Sequence, residues 1–170
     1  MHHSEPGSAP SRSIFHTPTR YALQVLVRLP SDGTFRLARC LAADLELPGP
    51  YLAKILQVLI RCGILESHKG PSGGFRLNRA PEDITLKEIV VAMEGPEPFG
   101  DCLLGHHGGK EGCHCPIRPA WDLLQNLLTT FLATTTLQNL KISHDLPGIS
   151  VEPCRPGAVP VSTLQKDGSE

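Results

Sequence analysis

Apolar residues recur at helical spacing just past Pro18, where Tyr21, Ala22, Val25, Leu26 and Leu29 fall on one side of Thr19–Leu29 and Pro30-Ser-Asp-Gly33 ends the run. This predicts a first helix buried along that side. Thr34-Phe-Arg-Leu37 predicts one short strand, and Leu37, Leu41 and Leu45, four apart, predict a second, small helix. After the interruption Pro48-Gly-Pro50, Tyr51–Cys62 predicts a third helix. Its apolar side carries Leu52, Ile55, Leu56 and Leu59, its polar side Lys54, Gln57 and Arg61, and Gly63 supplies the stop. Two short helices joined by a turn, the second with a polar face, have the form of a helix-turn-helix whose second member enters the major groove of DNA.

Past Gly63 the period changes from helical to extended. Ile64–Lys69, the turn Gly70-Pro-Ser-Gly-Gly74 and Phe75–Leu77 predict a hairpin directly behind the third helix, where a winged helix carries its wing. Lys69 and Arg76 flank its tip as cations for phosphate or the minor groove. Alone, a Gly-rich turn says only that the chain reverses there. A further helix is expected within Pro81–Met93, with Thr85 as N-cap, Glu88 three residues on, and Ile89, Val90 and Met93 as its core face; Gly95-Pro96 stops it. From Pro116 a long helix runs through Trp121, Leu124, Leu128 and Phe131 towards Thr135. Leu123, Leu127 and Leu132 widen its stripe beyond what one small domain covers, which predicts self-association. Beyond about Ser143, prolines and glycines without periodicity predict a disordered tail.

The pattern therefore divides the chain into a disordered extension (1–16), a winged helix-turn-helix domain (17–94), a cysteine-rich loop (95–116), a dimerisation helix (117–142) and a disordered tail (143–170). The fold class is mainly α with a small β wing. An apolar fraction of 40% in 170 residues permits a real core. The net charge of −1 conceals an asymmetry: Ile14–Arg79 carries nine Lys or Arg against four Asp or Glu, and Ala80–Glu170 six against twelve. A basic front half suits phosphate, and the acidic half stays off the duplex. With no signal-peptide run and no membrane-length apolar stretch, a cytoplasmic protein is expected.

A reducing compartment disfavours structural disulfides, so clustered cysteines read as metal ligands or redox groups. Cys102, Cys113 and Cys115 fall within fourteen positions of a Gly-rich segment that also holds His106, His107 and His114. Thiolates on such a loop suit zinc or an iron–sulfur cluster. Cys40 and Cys62 lie in apolar helical patterns and are expected to be buried small hydrophobes, with Cys154 an exposed thiol. An enzyme is not expected, because Cys113-His-Cys115 lies on no βαβ pattern and has no acid–base constellation around it. A protein-interaction module derived from the same fold is the other class left open.

Taken together, Tyr21-Ala-Leu, Pro50-Tyr-Leu-Ala-Lys-Ile-Leu56, Gly63-Ile-Leu, Lys69-Gly-Pro-Ser-Gly-Gly-Phe-Arg-Leu77, Ile84-Thr-Leu-Lys-Glu-Ile-Val90, Glu94-Gly95, Cys102-Leu-Leu-Gly and Cys115-Pro-Ile with Trp121 closely resemble the Rrf-two family of bacterial winged-helix regulators, the group of the IscR, NsrR and CymR types. The resemblance covers Thr17 to about Leu140. It implies a homodimer on palindromic double-stranded DNA that senses iron–sulfur, redox or nitric oxide status through a cluster held by three cysteines. By position it places Tyr51 and Lys54 on the recognition helix and Lys69 on the wing; with the polar face and the turn read above, the candidate DNA contacts are Pro50, Tyr51, Lys54 and Gln57 on the third helix and Lys69, Gly70, Pro71, Ser72, Gly73 and Arg76 on the wing. Cys102, Cys113 and Cys115 would supply thiolates. The family spaces its cysteines more evenly, whereas here the gaps are ten residues and one. Either His106 or His107 replaces a middle ligand, or Cys113 and Cys115 both bind. Arg118 stands where the IscR type carries a histidine ligand, and a guanidinium cannot ligate. Arg20 and Gln24 occupy the first-helix places that supply a ligand in some relatives. A cluster-free thiol- or partner-responsive regulator of the same fold is the alternative.

Overall fold

The computed structural model describes residues 14–70, 73–99 and 115–144. Its elements in chain order are α1 (Thr17–Arg28), α2 (Ala38–Asp44), α3 (Gly49–Arg61), β1 (Leu65–His68), β2 (Gly74–Leu77), a 3-10 turn (Pro81–Asp83), α4 (Leu86–Glu94), α5 (Arg118–Thr134) and α6 (Leu137–His144). Pro18 and Pro50 stand in the first turns of α1 and α3, where a missing N–H leaves no intrahelical bond unmade. The faces read from the spacing are the faces that bury. Ala22, Val25, Leu26 and Leu29 of the first helical segment, and Leu52, Ile55, Leu56 and Leu59 of α3, are each at most 2% exposed. They share one apolar cluster with Leu41 of α2, Ile89 and Val90 of α4, Leu132 of α5 and Leu137 of α6. Burying each leucine-sized side chain contributes about 1.5–3 kcal/mol.

β1 and β2 pair antiparallel, from Leu65 opposite Leu77 to His68 opposite Gly74. The strand expected at Thr34–Leu37 is reduced to a single bridge residue. Arg36 exchanges two backbone hydrogen bonds of 2.9 Å with Phe75 and adds one rung to the hairpin edge. The Arg36 side chain is only 8% exposed as a residue. Its guanidinium donates to the Arg28 carbonyl at 2.7 Å and pairs with the Asp44 carboxylate. One residue thus fastens the hairpin edge to the end of α1 and to α2. Gly74 makes the crossing possible: its φ is +139°, and a Cβ there would lie 2.4 Å from the Arg36 carbonyl oxygen.

Thr85 and Glu88 form the expected capping box at α4, with Glu88 N donating to Thr85 Oγ1 at 3.2 Å and Thr85 N to Glu88 Oε2 at 2.8 Å. Burial alone raises the Glu88 carboxyl, but hydrogen bonds from Thr85 and Arg79 outweigh it and hold the group below its ordinary value. Residues 117–142, expected as one helix, are two. The run Thr134-Thr135-Thr136 is β-branched, Thr135 takes an extended conformation, and Thr136 opens α6 by pairing with Asn139, its N–H donating to Asn139 Oδ1 at 2.9 Å. The two threonine starts lie side by side. Thr85 and Thr136 form an antiparallel bridge, Leu86 N donates to Thr135 O at 2.9 Å, and Leu137 N donates to Ile84 O at 2.8 Å.

Other expectations change at the edges. Cys40 is buried, as its apolar pattern predicts, but its sulfur is disulfide-bonded. Cys62 is exposed, because it caps the C-terminus of α3 beyond the apolar stripe. Residues 14–16, assigned to a disordered extension, lead into α1, and His16 is tied to the end of α4: its N donates to Glu94 Oε1 at 2.8 Å and its ring Nδ1 lies 3.0 Å from Oε2. Ser143 and His144, assigned to the tail, end α6. The disorder expected for 1–13 and 145–170, and Cys154 with it, lies outside the described residues.

Gly74→Ala should lower stability by about 2 kcal/mol, read as a fall in Tm, because backbone must move to admit the methyl. Thr85→Ala should cost about 1 kcal/mol. The Glu88 contribution is present above the ordinary carboxylate range and is lost as pH falls through its lowered value. The Tm difference between wild type and Glu88→Gln should therefore be largest near neutrality and shrink with acidification.

Candidate nucleic-acid interface

The surface that α3 leaves uncovered is one stripe. Pro50, Ala53, Lys54, Gln57 and Arg61 are exposed, at steps of three and four, opposite the buried leucines. The first turn of α3 carries no acidic residue, so the positive end of the helix dipole is uncancelled there. Tyr51 is half-buried instead. Its ring meets the edge of Tyr21 at 5.9 Å, and the Arg20 guanidinium lies 5.3 Å from the Tyr21 ring centre. Tyr51 thus anchors the first turn of α3 against α1.

The hairpin stands beside this helix. Between α2, α3 and the strands lies a cavity of about 430 Å³ whose walls include Arg39, Gly49, Ala53, Gln57, Ser67 and Phe75. Lys69 and Gly70 are exposed at the hairpin end, and Gly73 N closes the turn on Gly70 O at 3.0 Å. A Cβ at Gly73 would lie 2.2 Å from the His68 carbonyl oxygen, so the turn admits only glycine there. Pro71 and Ser72 lie outside the described residues. Arg76 does not reach for the tip. In register opposite Glu66, it pairs with that carboxylate, donates to the Gly33 carbonyl at 3.3 Å and lies 4.6 Å from the Phe35 ring centre. Its charge is engaged in holding the hairpin together. Spacing along the chain shows two cations flanking a turn but not the acid that lies across the strand, and it does not single out Arg39, exposed on α2, or Ala53 in the middle of the α3 stripe.

Of the three cysteines of the cysteine-rich segment, Cys115 alone falls among the described residues. It is half-buried at the entry to α5, where its carbonyl accepts from Arg118 N at 3.1 Å. Arg118 Nε donates to Asp122 Oδ1 at 2.9 Å. Cys102, Cys113, His106 and His107 lie outside, and among the described residues no three His, Cys, Asp or Glu are grouped to hold a metal. The apolar stripe of α5 divides in two. Leu132 is buried and Trp121 and Leu128 are half-buried, while Leu123, Leu124, Leu127 and Phe131 are 45–71% exposed. No helix among the described residues is long and apolar enough to cross a membrane.

A helix-turn-helix with a polar stripe on its second helix and a hairpin beside it defines a winged-helix DNA-binding protein. Residues 15–141 match the Rrf2 model, described as an iron-dependent transcriptional regulator, and the chain belongs to this family of transcriptional regulators. It is 32% identical over 131 residues to a putative HTH-type transcriptional regulator of Aquifex aeolicus, covering 75% of this chain and 90% of that one. To the HTH-type transcriptional regulator NsrR of Bacillus licheniformis it is 28% identical, covering 75% and 91%. The structure of CymR, the global cysteine regulator of B. subtilis, superposes with a TM-score of 0.62 at 25% identity, covering 76% of this chain and 96% of that one.

Lys69→Ala should weaken binding to every duplex and reduce the salt slope by about one, leaving Tm unchanged. Arg76→Ala should do the opposite, lowering Tm with little change in slope. Duplex titrations at several salt concentrations, run beside thermal melts, separate the two roles.

Proposed function

We propose that two copies of this chain, joined through α5, bind a palindromic operator in the cytoplasm, and that an iron–sulfur cluster held by Cys102, Cys113 and Cys115 tunes that binding. The supporting observation is the placement of α5. It begins three residues after Cys115, exposes Leu123, Leu124, Leu127 and Phe131 along its length, and ends at the backbone bridge to α4. A second copy covering that face would fix the separation of two α3 helices, as half-sites one duplex turn apart require. Pro50, Tyr51, Lys54 and Gln57 serve the major groove, and Lys69, Gly70, Pro71, Ser72 and Gly73 the flanking backbone; Arg76 supports the hairpin from within.

The donor chemistry suits a cluster. Three cysteines lie within fourteen positions, and Cys115 is a free, half-buried cysteine at a helix entry. Arg118 is paired with Asp122 and has no lone pair to give, so a further ligand comes from elsewhere, with His106 and His107 as candidates. When bound, a cluster supplies redox and ligand-exchange chemistry. The protein's part is to order the segment between α4 and α5. A tenfold change in operator affinity needs a difference of about 1.4 kcal/mol between the two loop states. The likeness to CymR, the global cysteine regulator of B. subtilis, favours as second reading a cluster-free, thiol-responsive regulator of the same fold.

Protein purified without oxygen should be coloured, with iron and sulfide in equal amounts, and Cys102→Ser or Cys115→Ser should be colourless with altered operator affinity. Colourless wild-type protein that binds its operator and responds to thiol oxidation would establish the second reading. Leu127→Glu with Phe131→Glu should yield monomers that bind at least tenfold more weakly, by sedimentation and gel shift.

A further inference from the structure

The exposed residues of α3 are not uniform along its length. Gly49, Pro50 and Ala53 come first, and the longer Lys54, Gln57 and Arg61 follow. The leading end of a recognition helix is the part that meets base edges. Tyr51 being folded back on Tyr21, the exposed residues there up to Ala53 carry no long side chain, which leaves room for the backbone to approach the groove floor. Ala53 presents an exposed methyl in the wall of the cavity beside α3, whose lining there includes Ala38, Ala42 and Phe75. On the same row of the helix, four residues on, stands Gln57. Among base edges in the major groove the only apolar group is the thymine C5 methyl, and a glutamine amide pairs with adenine N6 and N7.

Resting on the DNA-binding reading above, we infer that Ala53 is a specificity-determining residue that packs against a thymine methyl in each half-site, with Gln57 reading an adenine close by. Four helical residues rise about 6 Å, close to two base-pair steps, so the adenine lies within about two base pairs of the thymine. Lys54, on the neighbouring row, addresses a guanine or a phosphate, and Arg39 on α2 meets the strand that borders the cavity.

The full chain is used to enrich a randomised duplex library, and each thymine of the tightest duplex is then replaced in turn by deoxyuridine, which removes only the methyl. One symmetry-related thymine per half-site should emerge whose replacement weakens wild-type binding about fourfold, the equivalent of one buried CH₂-sized group. Ala53→Gly should bind the parent duplex about fourfold more weakly and be indifferent to that replacement. Ala53→Ser, which retains a helix-compatible side chain, should lose the methyl discrimination too. Insensitivity of the wild type to every replacement, or undiminished sensitivity in both variants, overturns the assignment of Ala53 while leaving DNA binding intact. Failure to enrich any duplex overturns the DNA-binding reading and this inference with it.

Discussion

Two short backbone segments, one entering α4 and one joining α5 to α6, are laced together at Thr85 and Thr136, and the relation between the reading surface and the apolar helix depends on that contact. The hydrogen bonds Leu86 N to Thr135 O and Leu137 N to Ile84 O satisfy groups that two helix starts would otherwise leave open. Each threonine then caps its own helix, with Glu88 or Asn139 as reciprocal partner. Leu132 and Leu137, on either side of the break, are buried in the same cluster as the leucines of α3. Movement of α5 at this end is therefore movement against the core that carries the recognition helix. The other end of α5, beside Cys115, has no such bridge among the described residues.

Around α3 the structure separates exposed polar groups from engaged ones. Lys54, Gln57 and Lys69 are exposed, whereas Arg36 and Arg76, equally basic in sequence, are absorbed by Asp44, Glu66 and backbone carbonyls. Arg36, with its side chain 9% exposed, is costly to free because release leaves an uncompensated buried charge, whereas the Arg76 pair with Glu66 is more open to solvent and is worth less. Both arginines hold the hairpin in position. Tyr51 takes a similar middle role, since a ring packed on Tyr21 sets the pitch of α3 while its first turn stays open to a ligand.

Much of this was legible in the chain. Steps of three and four announced α1, α3 and α4 because each buries a single face, and a helix that buries a single face must repeat near 3.6 residues. Thr85 with Glu88 announced a helix start because both partners of a capping box are local. The exposed stripe of α3 followed by subtraction from its buried one, although Ala53 was overlooked there, being neither polar nor periodic with the core. What failed was non-local. The break at Thr135 is held by the bridge from Thr136 to Thr85, fifty-one residues earlier, and the covered and exposed parts of the α5 stripe cannot be told apart while both are leucine.

By itself, then, the sequence determined which faces are apolar, where helices begin, and that a helix-turn-helix is followed by a hairpin, because these are properties of neighbours along the chain. Only the tertiary structure decided which cations remain free, where the last helix divides, and which leucines of α5 face solvent. Those outcomes turn on residues that meet across the fold, such as Glu66 beside Arg76 and Arg36 over Gly74, and the energy of such a meeting is written in neither partner alone.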